Sequence, residues 1–313
     1  MKKSTDKPLP KLVVVTGPTA AGKTEWGLRL AKKFKGEIIS ADSRQIYTKM
    51  DIGTAKPQGE WRTRGQHRAY FVDGVRDHLV DFLDPGKQFT VVEFRDLVMK
   101  HINACARRDH RPFVVGGTGL YIQALVENYT IPRIPPNRKL RRSLEQKDTA
   151  DLVQLLQILD ADAAAKIDRR NKRRVIRALE VCILSGEPIS AQQMRGEPIF
   201  DTLKIGVQID REELYKRIDK RIEVMVRQGL LGEVQSLVRQ RYAWELPSMS
   251  AMGYRQFRPY LEGKATLETV VEHLKRDTRH FARRQFTWFR RDKEIQWCKT
   301  YAQAERLVKK FLS

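Results

Sequence analysis

The chain has 313 residues, enough for one large core or one core with a smaller domain. Its 60 Lys and Arg against 38 Asp and Glu give a net charge of +22, which favours a polyanionic partner, nucleic acid first. No uninterrupted apolar stretch approaches the roughly 20 residues that span a bilayer. Cys105, Cys182 and Cys298 stand too far apart for a zinc site or a disulfide framework, so a cytoplasmic protein with reduced thiols is expected, with no membrane partner.

The first ten residues, "MKKSTDKPLP", are basic, lack the apolar segment of a signal peptide and read as a short disordered tail. "KLVVVTG" follows as a buried strand, and "TEWGLRLAKKF" as a helix. Between them lies "GPTAAGKT", comprising Gly17, Pro18, Thr19, Ala20, Ala21, Gly22, Lys23 and Thr24. A Gly-x-x-x-x-Gly-Lys-Thr segment between a strand and a helix is a P-loop, whose backbone N–H groups and helix N-terminus hold a diphosphate. Lys23 supplies a mobile ammonium, and the Thr24 hydroxyl can ligate Mg²⁺.

A second strand, "EIISADS", delivers Asp42 just past its C-terminal end, at the sheet edge where ligands of open α/β sheets bind. A carboxylate there can take the proton of an attacking nucleophile; the plainer alternative is a strand-end Asp that caps a turn. Ser43, Arg44 and Gln45 follow with groups suited to a base edge or a phosphate. The helix "TVVEFRDLVMKHINACARR" precedes a third strand, "FVVGGTG". An NTPase usually ends a second strand in an acid that helps to hold Mg²⁺. The third strand here ends instead in Gly116, Gly117, Thr118 and Gly119, which suits close approach of a substrate, although Asp42 or Asp81 can reach a metal through water. With a fourth strand, "LKIGVQID", the alternation predicts an α/β fold: a P-loop NTPase-like parallel sheet flanked by helices.

The proline-rich, basic "YTIPRIPPNRKLRRSLEQK" reads as entry into something new. Beyond it, Leu152, Leu155, Leu156 and Leu159 make a helical stripe, and "RRVIRALEVCILSGEP" is a helix ending near Gly186. Residues 127–197 are therefore expected to form a smaller all-helical insertion in a core made of 1–126 and 198–313. Downstream, "REELYKRIDKRIEVMVRQGLLGEVQSLVRQ" carries Leu214, Ile218, Ile222, Met225 and Val226 along one face, and a final helix covers about 266–291.

Arg217 and Arg221 stand four apart on that first helix and can clamp a departing diphosphate opposite Lys23, unless Asp219 and Glu223 merely pair with them. "RRNKRRVIR" sets Arg170, Arg173, Arg174 and Arg177 along a helix. "RHFARRQFTWFRR" interleaves Arg283, Arg284, Arg290 and Arg291 with Phe281, Phe286, Trp288 and Phe289, a composition that stacks unpaired bases and follows a phosphate backbone, if the rings are not core. The residues alone leave three readings: a transferase acting beside a diphosphate, a small-molecule kinase with an added basic RNA-binding region, or an RNA-binding protein with a regulatory P-loop.

Taken in order, "GPTAAGKT", "ADSRQIYTKMDIGTAKP", "HLVDFLDP", "VVGGTGLYIQAL", "RRVIRALEV", "RIEVMVRQGLLGEV", "SAMGYRQ" and "RRQFTWFRRD" resemble the tRNA dimethylallyltransferases (tRNA isopentenyltransferases) of bacterial type. The resemblance spans nearly the whole chain. It implies transfer of a dimethylallyl group from dimethylallyl diphosphate to N6 of the adenosine at tRNA position 37, in the anticodon stem-loop, with Mg²⁺ at Thr24. It implies Asp42 as general base, the P-loop and Arg217 on the diphosphate, and a monomer as the simplest assembly. As tRNA contacts it implies Asp42, Ser43, Arg44, Gln45, Thr118, Arg141, Arg173, Arg174, Val175, Ile176 and Arg177, and in the last two motifs Gly253, Tyr254, Arg255, Arg284, Gln285, Trp288 and Arg290.

Overall fold

Buried apolar runs and capping side chains divide the chain into its elements. The computed structural model describes residues 8–65, 67–192 and 195–313; most of the expected amino-terminal tail, residues 1–7, lies outside the described residues. In order come β1 (Lys11–Thr16), α1 (Lys23–Lys33), β2 (Gly36–Ser40), β3 (Glu60–Arg64), β4 (His67–Val72), β5 (Val75–His78), α2 (Val91–Arg107), β6 (Arg111–Gly116) and α3 (Gly119–Val126). A helical run follows: α4 (Arg138–Glu145), α5 (Thr149–Leu159), α6 (Ala161–Lys166), α7 (Lys172–Ser185) and α8 (Ile189–Gln192). The chain then adds β7 (Asp201–Val207), α9 (Arg211–Arg227), α10 (Leu230–Arg239), a 3₁₀ turn (Arg255–Phe257), α11 (Arg258–Leu261), α12 (Leu267–Phe289), β8 (Gln296–Cys298) and α13 (Tyr301–Leu312).

Two compact units result, one of residues 1–122 with 199–313 and one of 123–198. The first is built on one sheet of eight strands in the order β3-β4-β5-β2-β6-β1-β7-β8. From β5 to β8 all neighbours are parallel. The central strands β1 and β6 are buried along nearly their whole length, as strands covered on both faces must be. The expected parallel sheet is thus extended by an antiparallel meander, β3-β4-β5, and by the short edge strand β8. "EWRTR" and "HRAYFV" gave little sign of these strands, because half their residues are polar and face outward at a sheet edge.

Val13, Val15, Ile38, Phe113 and Val115 share one face of the sheet and pack with Leu30 and Ala31 of α1 and with Ala304 and Val308 of α13. Side chains alternate along a strand, so Glu37 faces the opposite side, where it meets Cys105 and Arg108 at the end of α2. Asp77 of β5 pairs with Ile38 in register and is buried; its Oδ1 has no partner among the described residues, and burial pushes its pKa up to about 7. α2 starts at a capping box of Thr90 and Glu93.

The stretch read as one helix over 211–240 is two, because Gly229 at φ 98° breaks it between α9 and α10. Leu214, Ile218, Ile222 and Met225 of α9 form the expected buried face, packing with Leu274 and Ala282 of α12 and with Ile46, Tyr47 and Met50. Asp219 grips Arg279 through both carboxylate oxygens, at 2.9 and 2.6 Å, which sets α12 against α9.

The second unit is helical among its described residues. Leu144, Leu152, Leu156, Val175, Ile176 and Leu179 make its core, and Asn171 caps α7, which ends at Gly186 with φ 74°. Glu180, buried within it, accepts from Arg141 at 2.8 and 2.7 Å, from Arg177 at 2.6 Å and from the Asn137 N–H at 2.7 Å. Among the described residues, no helix is long and apolar enough to cross a membrane.

Candidate active site

β1, β6 and β2 run side by side and parallel, so the segments that follow them meet at one edge of the sheet. The P-loop follows β1, the turn Gly117-Thr118 follows β6, and Asp42 follows β2. Since β6 lies between the other two, the Gly-Gly-Thr turn stands between the P-loop and the Asp42 segment. Asp42 nevertheless lies near enough to the P-loop to act electrostatically on Lys23.

Gly22 caps α1 with φ 96°, a conformation that L side chains resist, and Ala20 also lies at positive φ (64°). The eight residues thereby wrap the start of α1, whose free N–H groups and dipole favour an anion. Burial lowers the Lys23 ammonium to about 8, with nearby Arg221 adding to the effect and Asp42 opposing it. Burial likewise lowers Arg221, and Asp42 again opposes it. Lys23, Arg221 and Asp42 therefore form one electrostatic group, two desolvated cations and a carboxylate.

Arg221 Nη2 donates to Thr19 Oγ1 at 2.6 Å. Arg217, the arginine expected on the diphosphate, is half exposed and pairs with Glu213 at 2.7 Å. Of the two arginines expected to clamp the diphosphate, Arg221 contacts the P-loop directly, while Arg217, one turn earlier on α9, pairs with Glu213. Asp219 and Glu223, offered as partners for the two arginines, are taken by Arg279 and Lys275 of α12.

Asp42 Oδ1 accepts the backbone N–H of Arg44 at 2.9 Å and of Gln45 at 3.4 Å, so the turn-capping alternative is realised in this carboxylate. Its Oδ2 accepts nothing among the described residues and is available to a substrate. Thr118 Oγ1 accepts the Ser43 N–H at 3.0 Å, joining the two segments. Arg44 donates to the Pro247 carbonyl, and Gln45 Nε2 to the Thr54 and Ala55 carbonyls at 3.3 and 3.0 Å. Both side chains are thus spent on the fold, because the segment they belong to has to be held against its neighbours.

Others of the expected RNA contacts are also committed elsewhere. Val175 and Ile176 are core residues of the helical unit, and Arg141 and Arg177 are held by Glu180. Tyr254 is fully buried, its hydroxyl donating to Glu233 at 2.7 Å. Gly253, at φ 92°, donates its N–H to Gln256 at 3.1 Å. Gln285 is buried with both ends of its amide used, Oε1 by the Thr19 N–H at 2.8 Å and Nε2 by the Gly117 carbonyl at 2.9 Å. Arg173, Arg174, Arg255, Arg284, Trp288 and Arg290 are exposed, and Trp288 lies against Gly119 of the turn after β6. Of the four rings, Phe289 alone is fully core.

Sequence reasoning missed Glu233. Its carboxylate accepts the successive N–H groups of Asp51, Ile52 and Gly53 at 2.7, 2.9 and 3.0 Å and so fixes the "DIGTAKP" loop behind the Asp42 segment. Its one signal was its place in "GLLGEV", which spacing alone does not distinguish from a solvated face.

Thr24, the expected Mg²⁺ ligand, lies in the first turn of α1, and its hydroxyl makes no hydrogen bond among the described residues. Asp81 does not contribute, being taken by Lys56 at 2.7 Å and by Trp61 at 2.9 Å. Glu37, His78 and Cys105 also stand at metal-ligand spacing, yet Arg108 already covers both Glu37 oxygens at 2.8 and 2.6 Å. Burial pushes Glu37 up, but hydrogen bonds from His78, Arg108 and His110 outweigh it and hold the group well below the carboxylate range. That cluster is a satisfied structural ion group.

Comparison with known proteins follows the same line. The IPP transferase family model matches residues 45–292. The chain belongs to the IPP transferase family. A tRNA dimethylallyltransferase of Chloroflexus aggregans is 48% identical over 90% of this chain and 93% of its own, and one of Roseiflexus sp. is 45% identical over 90% of each. Among solved structures, the full-length tRNA isopentenylpyrophosphate transferase of Bacillus halodurans superposes with a TM-score of 0.69 at 37% identity, covering 96% of both chains. A eukaryotic dimethylallyltransferase captured acting on tRNA gives a TM-score of 0.74 at 28% identity, over 93% of this chain and 74% of the other. Within the family the P-loop segment at 17–24 precedes the matched stretch, and the Asp42 segment straddles its start.

Proposed function

We propose that this chain transfers a dimethylallyl group from dimethylallyl diphosphate to N6 of adenosine 37 in tRNA. The C1–O bond of the diphosphate breaks, the N6–C1 bond forms, and the amine proton passes to Asp42 Oδ2, leaving prenylated adenosine and diphosphate. The observation that carries the reading is the grouping of Lys23, Arg221 and Asp42 about a P-loop whose neighbouring strand ends in Gly117-Thr118 with no metal-binding acid. A kinase needs charge stabilisation at a transferring phosphoryl group. On the proposed reading the cations neutralise the diphosphate as the leaving group.

The chemistry follows from the residues. The P-loop N–H groups, Lys23 and Arg221 bind the diphosphate oxygens and stabilise charge that grows as C1 departs. Asp42, held by two backbone N–H groups through Oδ1, keeps Oδ2 oriented toward the incoming amine. Thr24 would hold Mg²⁺ together with diphosphate oxygens, where the ion supplies further charge neutralisation for the leaving group. The adenine must leave the anticodon-loop stack, at a cost of a few kcal/mol that is lowest in single-stranded RNA. Arg173 and Arg174 of the helical unit, and Arg284, Trp288 and Arg290 of α12, offer phosphate and stacking contacts that offset it. The names of the related enzymes support the same substrates.

The test is incubation with unmodified tRNA, labelled dimethylallyl diphosphate and Mg²⁺. Label in tRNA, at an adenosine next to the anticodon, is expected. Label that stays out of RNA while the protein turns over ATP favours a kinase.

A further inference from the structure

The Gln285 amide spans two loops. The P-loop approaches it from β1 and gives it the Thr19 N–H; the turn after β6 gives it the Gly117 carbonyl. The link continues, since Thr118 Oγ1 accepts the N–H of Ser43, next to Asp42. On the reading above, the first loop carries the prenyl diphosphate and the segment at the far end carries the base that deprotonates the adenine. One buried side chain therefore joins the P-loop itself to the turn that is hydrogen-bonded to the Asp42 segment.

We propose that Gln285 is a positioning residue that sets the spacing of the P-loop and the Gly117-Thr118 turn, and through it the alignment of adenine N6 with the prenyl C1. This rests on the prenyl-transfer reading and replaces the expectation that Gln285 touches tRNA. An amide is needed because one end must accept and the other donate. A carboxylate would keep the Thr19 contact and set an oxygen against the Gly117 carbonyl, and a thioether would lose both. Space is equally constrained: a Cβ on Gly117 would meet Gln285 Nε2 at 2.5 Å and Lys23 Cε at 3.4 Å. The helix bearing Gln285 cannot drift easily, since Arg279, less than two turns earlier, is clamped by Asp219 of α9. α9 in turn holds Thr19 from its hydroxyl side through Arg221. Thr19 is thus fixed by two helices through two different atoms.

Misplacing reactants by about 1 Å can cost 10²-fold in rate without weakening either binding step. In Gln285→Met, the single-turnover rate of the fully bound complex is expected to fall roughly 10²-fold, while Kd for tRNA and for dimethylallyl diphosphate each change less than about threefold. Hydrogen exchange at the Thr19 amide, followed by mass spectrometry or NMR on the whole chain, is expected to accelerate. Gln285→Glu, which keeps the Thr19 acceptor, is expected to retain amide protection and still lose rate, and it serves as the second variant should Gln285→Met not fold. A tenfold loss of tRNA affinity with an unchanged rate in the bound complex overturns the proposal and returns Gln285 to the RNA. So does a Gln285→Met protein with wild-type Thr19 exchange. A wild-type chain that places no label in tRNA is a different result: it removes the functional reading, while the exchange measurement still reports on the bridge.

Discussion

Arg221 Nη2 meets Thr19 Oγ1 at 2.6 Å across 202 residues of sequence, so a helix from the far half of the chain completes the P-loop. The cation that sequence spacing pairs with it, Arg217, lies on the same helix and spends itself on Glu213.

Their replacement separates the two. Arg221→Ala is expected to raise Kd for dimethylallyl diphosphate roughly 10- to 100-fold, the ~1.5–3 kcal/mol of hydrogen bonds to a charged group. Arg217→Ala, which removes a solvent-exposed pair, should change it less than about twofold. Calorimetric titration of the two variants decides, and equal losses would place Arg217 back at the site.

Lys23 gives a pH dependence whose sign is fixed by its lowered pKa. Burial brings the ammonium to about 8 in the free protein, so it loses its proton as pH rises through 8. Diphosphate binding favours the protonated form, and affinity should fall from pH 7 to pH 9 with proton uptake on binding. For folding, the unfolded chain binds more protons than the native one between about 8 and the ordinary lysine value of 10.5, so this group makes stability rise with pH in that window. Lys23→Met should abolish the pH-dependent part of the affinity, as measured by titration in buffers of different ionisation enthalpy.

Asp42 holds a turn with Oδ1, and on the proposed reading its Oδ2 takes the amine proton. Asp42→Asn retains an acceptor for the Arg44 and Gln45 N–H groups but cannot take a proton. Its single-turnover rate should fall about 10²- to 10⁴-fold, the usual worth of a general base, with tRNA affinity nearly unchanged. An unaltered rate would remove Asp42 from the base role.

Asp77 is buried with an Oδ1 that has no partner among the described residues and a pKa raised to about 7. The native state then holds its proton at pH values where the unfolded chain has released it. Stability therefore falls as pH rises from about 4 to 7, opposite to a salt-bridged carboxylate. Asp77→Asn should raise Tm at pH 8 and leave it near wild type at pH 4, which thermal unfolding at the two pH values checks.

Arg173 and Arg174 are exposed while Arg141 and Arg177 are locked on Glu180. Replacing Arg173 and Arg174 together with Ala should lower the salt slope of tRNA binding by about 1 to 2. Arg141→Ala should instead lower the unfolding temperature of the helical unit, by leaving Glu180 partly unpaired. A salt slope that responds to Arg141→Ala and ignores the double variant would reverse the assignment.

The P-loop, Asp42 and the four inner strands were legible because each is a local pattern: apolar runs of strand length, glycines at a tight turn, a lysine heading a helix. The period of α9 likewise showed which residues it buries. Legible in the same way was the membership of a family, since its motifs are short and ordered. Three things were decided only by tertiary structure. Strand order put the Gly-Gly-Thr turn between the P-loop and Asp42, which no single segment encodes. The rotation of α9 against its neighbours brought Arg221 to Thr19 and left Arg217 with Glu213, two residues of the same type on the same helix. Burial took Gln285, Tyr254, Val175 and Ile176 inward, and gave the polar atoms of Gln285 and Tyr254 partners in other segments. Residue type and spacing fix what a side chain can do, whereas its partner and its exposure depend on which distant segment packs against it, and that is settled only when the sheet and helices close together.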